Sequence, residues 1–129
     1  MHQFRVALIA SLVLIGLSLS LPAAEHTKDS LDTVKKKIGD DDAVLVDVRE
    51  QSEWDSGHID DAILVPLSGL KNGDKPDSLD KDKIAYIHCR SGRRCLAAAD
   101  ILKKLGYDVR PLKAGYEDLL KAGFKKAEK

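Results

Sequence analysis

The sequence predicts an α/β domain: a central, mostly parallel β-sheet with helices packed on its faces. Short apolar runs of strand type alternate with segments of helical composition along most of the chain. Two of the runs, residues 43–48 and 84–88, are nearly continuous in apolar residues, as strands covered on both faces are. The length of 129 residues, 43% of them hydrophobic, suffices for one packed core, and no repeat, low-complexity tract or second domain interrupts it.

Taken in order, residues 25–29 are polar and are expected to be loose. Ser30 is placed to cap a helix through Leu31, Val34, Lys35 and Ile38, with apolar residues at i, i+3 and i+7 and Gly39 as its stop. Residues 43–48 form a strand, and residues 49–56 suit a short helix ended by Gly57. Residues 62–65 form a second strand closed by Pro66, and residues 67–70 a single helical turn. Residues 71–83, with Asn72-Gly73, Pro76 and several aspartates, make a turn-rich connection. A strand at 84–88 and a helix at 93–105, stopped by Gly106, follow. A strand at 107–112, a turn at Ala114-Gly115 and a last helix at 116–122 complete the chain, whose Lys-rich end is expected to fray.

The leading residues resemble a targeting segment. Met1-His2-Gln3-Phe4-Arg5 is mildly positive, and residues 6–21 carry no charge. That uncharged run of 16 residues falls short of the ~20 needed to span a membrane. A signal peptide over residues 1–24, cleaved after Ser20 or Ala24, is therefore expected. It leaves residues 25–129 as an exported domain, periplasmic or secreted, monomeric and with no stable membrane association. The 21 basic and 21 acidic residues balance and are scattered, which excludes a nucleic-acid surface.

The chemistry concentrates in Ile84-Ala85-Tyr86-Ile87-His88-Cys89-Arg90-Ser91-Gly92-Arg93-Arg94-Cys95. A strand, a tight loop and a helix in that order aim unpaired loop amides and the positive end of the helix dipole at one point, which favours an anion. Arg90, Arg93 and Arg94 add charge that is never lost. Cys89, at the mouth of such a pocket, is expected to have a depressed pKa and to react as the thiolate. A Cys89–Cys95 disulfide would close a loop too small to stabilise the fold much, so a reactive pair fits better than a staple. Asp47 and Arg49 end one strand and Cys89 another, beyond the carboxyl ends where parallel sheets bind ligands.

Three chemistries fit poorly. Two thiols and no histidine pair at ligand spacing make a weak zinc site, so no metal or other cofactor is expected. A thioredoxin-like centre would want Cys-x-x-Cys. In a His-Cys-x5-Arg phosphatase an arginine follows the cysteine by six, but here Cys95 stands there and Arg94 comes one residue early. The chain instead resembles the single-domain rhodanese family of sulfurtransferases. The resemblance rests on Leu45-Val46-Asp47-Val48-Arg49 followed by Glu53-Trp54, on Gly57-His58-Ile59-Asp60-Asp61-Ala62 running to Pro66, on Cys89 to Arg94, and on Gly115-Tyr116.

That resemblance implies a three-layer rhodanese-like fold and a two-step transfer of sulfane sulfur through a Cys89 persulfide, from an anionic donor such as thiosulfate to a thiophile such as cyanide or a thiol. Arg90, Ser91, Gly92, Arg93 and Arg94 would bind the donor. Asp47 and Arg49 are expected to order the structure near the loop. His58 is expected to make a structural hydrogen bond rather than move a proton, and Trp54 to join the core. His88 either tunes the Cys89 pKa or points into the sheet. Cys95 occupies a position where the family more often has serine or threonine. It is expected to help solvate the thiolate, and the sharper alternative is that it resolves the persulfide as a disulfide. A thiol-redox or sulfur-relay protein using both cysteines, with a thiol reductant as partner, and a non-catalytic oxyanion- or sulfur-binding module remain the other readings.

Overall fold

The computed structural model describes residues 22–128, so the expected signal peptide lies outside the described residues except for Pro22, Ala23 and Ala24. The element order is α1 (Leu31–Gly39), β1 (Ala43–Asp47), α2 (Gln51–Asp55), β2 (Ile63–Leu64), α3 (Leu67–Lys71), β3 (Ile84–His88), α4 (Arg94–Lys104), β4 (Asp108–Pro111) and α5 (Tyr116–Lys121). The four strands form one parallel sheet in the order β2-β1-β3-β4, with Asp47 beside His88 in the β1–β3 register.

Strand alternation divides the core into two layers, one on each face of the sheet. Val46 of β1 and Ala85 and Ile87 of β3 face α3 and α4, where Leu70, Ala98, Ala99 and Leu102 close the layer. Ala43, Leu45 and Tyr86 face the other way, onto Val34 of α1 and Leu119 of α5. The strands are thus buried on both faces, as their continuous apolar composition implies.

The ends of the helices follow their local chemistry. The Ser30 hydroxyl accepts the Thr33 N–H at 3.1 Å, capping α1 as expected. Gly106 ends α4 in the left-handed region at φ 96°; its N–H bonds the Lys103 carbonyl and the Tyr107 N–H the Leu102 carbonyl. Gly39, however, is the last residue of α1 and has no positive φ; the left-handed turn falls on Asp41 at φ 62°, a residue type that tolerates it.

Two segments expected to be loose are fastened instead. Around the Lys-rich end, Ile59 and Lys126 form an antiparallel bridge, and Ala127 donates to the His58 carbonyl at 2.8 Å. At the other end, the Thr27 N–H bonds the Pro111 carbonyl at 2.8 Å on the outer edge of β4. The Asp29 carboxylate accepts from Tyr86 Oη at 2.6 Å and Arg110 at 2.9 Å. Neither contact has a periodic signature, because each is made by isolated polar groups meeting across the fold.

Candidate active site

The chain winds from β1 outward to β2 and from β3 outward to β4, so the winding reverses between β1 and β3. A parallel sheet opens its ligand crevice at such a reversal, beyond the carboxyl ends of the strands. Cys89 follows β3 at this point. Gly92 bends the loop at φ 86°, where a Cβ would meet the Lys113 carbonyl oxygen at 2.7 Å. A Cβ on Gly115 would stand 1.9 Å from the Arg90 carbonyl oxygen, so only glycine allows the loop to rest on the start of α5. The Tyr116 N–H then bonds the Cys89 carbonyl at 3.0 Å.

Cys89 is not at the mouth of a pocket, as the sequence suggested, but fully buried beneath the loop. Its pKa is nevertheless pulled down from the usual thiol value to about 5. The largest cause is a hydrogen bond from the Cys95 thiol; the amides of Cys95, Ser91 and Gly92 add to it, and burial opposes them all. The Gly92 N–H lies 3.1 Å from the Cys89 sulfur. Both thiols are free. Cys95 Sγ also lies 3.0 Å from the Gly92 carbonyl oxygen and 3.3 Å from that of Leu112, so its single proton has three acceptors within reach. With Cys89 ionised, the thiolate is the acceptor that gains most. The bond to Cys89 and burial push the ionisation of Cys95 itself far upward.

The arginines divide into two kinds. Arg90 and Arg93 are exposed on the loop. Arg94 turns back to α2 and grips Glu53 with two bonds, of 2.5 and 2.9 Å. The Arg94 guanidinium holds the Glu53 carboxyl at about 2, well below its usual range. Arg94 therefore fastens the loop to α2. Glu53 belongs to a quoted motif, but nothing in the spacing pointed to Arg94 as its partner.

Asp47 and Arg49 pair at the end of β1. Arg49 bonds both Asp47 oxygens, and its Nη2 also donates to the Gly57 carbonyl at 2.8 Å. The guanidinium lies 4.2 Å from the centre of the Tyr116 ring. His88 is on the Asp47 side of β3, its Nε2 3.7 Å from Asp47 Oδ2 and without a hydrogen-bond partner. Burial lowers its pKa and keeps it neutral, so it supplies no positive charge to Cys89. His58 stacks on Trp54 at 3.6 Å and its Nδ1 contacts the Trp54 carbonyl at 3.1 Å, a structural role as expected; Trp54 is half-buried rather than core. Arg49, Ser52, Glu53, Gly57, Arg90 and Tyr116 line a cavity of about 510 Å³ beside the loop. His26, absent from the sequence-based site, reaches the Gly92 carbonyl at 2.7 Å.

A buried cysteine held by a loop amide at the reversal point of a parallel sheet defines an α/β scaffold with its candidate site at the carboxyl ends of the strands. The family model of the Rhodanese-like domain matches residues 30–122, and the chain belongs to that family. YqhL of Bacillus subtilis is 30% identical over 118 residues, 91% of this chain and 92% of that one. MoeZ of Mycobacterium tuberculosis is 36% identical over 80 residues, but these are 62% of this chain and only 19% of MoeZ, so the chain spans about a fifth of that relative. The structure of the human single-domain sulfurtransferase TSTD1 superposes with a TM-score of 0.63 at 26% identity, covering 72% of this chain and 94% of that one. Family and relatives together support sulfur transfer as the general chemistry of the fold.

The thiolate absorbance of Cys89 is expected to titrate near pH 5. Cys95→Ala, which removes the largest cause, raises that midpoint by about one unit or more. An unchanged midpoint would show that the amides alone suffice. For Glu53 the sign is that of a depressed carboxylate: its contribution to stability is present above the ordinary pKa of 4.5 and is lost as the pH falls through about 2. Glu53→Gln is therefore destabilising by about 1 kcal/mol at neutral pH, and the difference shrinks to nothing in acid unfolding curves near pH 2.

Proposed function

We propose that the protein is a thiosulfate sulfurtransferase with Cys89 as its nucleophile. The observation that carries this reading is the Gly92 N–H aimed at the buried Cys89 sulfur at 3.1 Å, within a loop whose donors lower the Cys89 pKa. The thiolate attacks the outer sulfur of thiosulfate, the S–S bond breaks, and its electron pair leaves with sulfite. Cys89 is left as a persulfide anion. Cyanide or a thiol then attacks the outer sulfur and restores the thiolate. No general base is required, because the attacking group is already ionised.

On this reading Arg90 and Arg93 draw the dianion to the loop and stabilise the departing sulfite, while Ser91 and Gly92 contribute amides to the sulfur. Donor reaches the buried thiolate by displacing the loop rim at Arg90 and Ser91, both exposed. The partners are then an anionic sulfur donor and a thiophilic acceptor, in the exported setting suggested by the leading segment. A redox relay through Cys95 is less well supported, because the Cys95 thiol is engaged as a donor and resists ionisation.

The mature, reduced protein treated with thiosulfate is expected to gain one sulfur atom by intact mass, and cyanide to remove it as thiocyanate. Cys89→Ser gains none. Loss of two hydrogens instead would establish the Cys89–Cys95 disulfide and the redox reading, and no change would leave a binding module. Because the loop is cationic, kcat/KM for thiosulfate should exceed that for mercaptopyruvate by about tenfold or more, the equivalent of one charged contact. The reverse order would overturn the choice of donor.

A further inference from the structure

Residues 22–29 lie before the span matched by the family, yet they run over the edge of β4 to the sulfur-binding loop. The segment is tied along its length. The Ala24 N–H bonds Asp100 Oδ1 of α4 at 2.7 Å, the Thr27 N–H bonds the Pro111 carbonyl at 2.8 Å, and Asp29 receives Tyr86 and Arg110. Between these ties His26 places Nε2 2.7 Å from the Gly92 carbonyl oxygen. A carbonyl only accepts, so Nε2 carries the hydrogen, which settles the tautomer in this contact.

Gly92 is the hinge of the sulfur site. Its N–H meets the Cys89 sulfur at 3.1 Å, and it holds a left-handed φ of 86°. Its carbonyl is also the nearest alternative acceptor for the Cys95 thiol, at 3.0 Å. The imidazole thus fixes the bend of the loop at Gly92.

We propose that His26 is a positioning residue for Cys89, its Nε2–H holding the Gly92 carbonyl so that the Gly92 amide stays directed at the cysteine sulfur. This deepens the proposed function, since it concerns the same cysteine, but it predicts a property of the thiolate that exists without any sulfur donor. A bystander His26 would merely pack the segment against the loop, and the two roles separate when the N–H donor is removed and then restored.

The test compares His26→Leu, which removes the donor, with His26→Gln, which keeps an N–H, in the full chain. The expected result for His26→Leu is a rise in the Cys89 thiolate midpoint of about half a unit or more, with persulfide formation from thiosulfate slowed about threefold or more. His26→Gln stays within about half that shift, while both variants unfold at similar temperatures. A His26→Leu midpoint equal to wild type overturns the proposal, as does an equal shift in the two variants, which would assign the effect to packing. The titration decides His26 even if thiosulfate leaves no sulfur on wild type, in which case the donor assignment alone fails.

Discussion

The structure depends on keeping the Cys89 sulfur inside the core, where neighbouring dipoles are the largest influences that favour its negative charge. Cys89 belongs to the same buried apolar cluster as Val46, Ile87, Ala98 and Leu102, and burial by itself raises a thiol pKa. Arg94 is committed to Glu53, Arg90 and Arg93 are exposed, and His88 is neutral. The charge is therefore solvated by short-range dipoles, namely the Cys95 thiol and the amides of Ser91, Gly92 and Cys95. Such donors work only while the loop keeps its curl. That requirement explains why Gly92 and Gly115 stand where a Cβ would strike a backbone carbonyl. It also explains why the Tyr116 N–H anchors the cysteine carbonyl rather than extending a strand.

The scaffold around the loop converges on one guanidinium. Arg49 neutralises the buried Asp47, takes the Gly57 carbonyl and lies over the Tyr116 ring. Three chain segments, the end of β1, the turn after α2 and the start of α5, are thereby held to a common point. Removing one partner of a buried pair leaves the other charge unsolvated and costs about 3–5 kcal/mol, more than an average hydrogen bond contributes. The Glu53–Arg94 pair is more exposed and individually weaker, but it joins α2 directly to the first turn of α4. The loop is thus clamped from both sides, by Arg94 toward α2 and by Gly115 beneath it.

Most of the architecture was legible because it is written in local patterns. The apolar runs that became β1 and β3, the Ser30 cap and the Gly106 stop are signals carried within a few residues. The short strands were the least exact: β2 is only Ile63–Leu64, where residues 62–65 were expected, because its pairing with β1 ends before Pro66. Within the site, Cys89, Asp47 and Arg49 were readable from the strand ends that carry them. What could not be read was pairing across long separations. Glu53 meets Arg94 across 41 positions and His26 meets Gly92 across 66. A lone histidine in a polar stretch carries no periodicity and no spacing, so only the folded chain reveals its partner.

Cys95 is a side chain whose sequence position suggests a redox group and whose contacts in the structure are those of a hydrogen-bond donor. As a resolving thiol it would have to ionise, and the same contact that lowers the pKa of Cys89 raises its own. The Cys95 thiol and the amides of Cys95, Ser91 and Gly92 together favour the thiolate at Cys89, while Cys95 keeps its hydrogen. On the proposed sulfur-transfer reading, loading places the negative charge on the outer atom of a persulfide, away from the Cys95 thiol. The Gly92 and Leu112 carbonyls, at 3.0 and 3.3 Å, are then in place to receive the freed S–H. A donor with two such fallback acceptors stays satisfied in both halves of the cycle, and so has no electrostatic incentive to surrender its proton and attack.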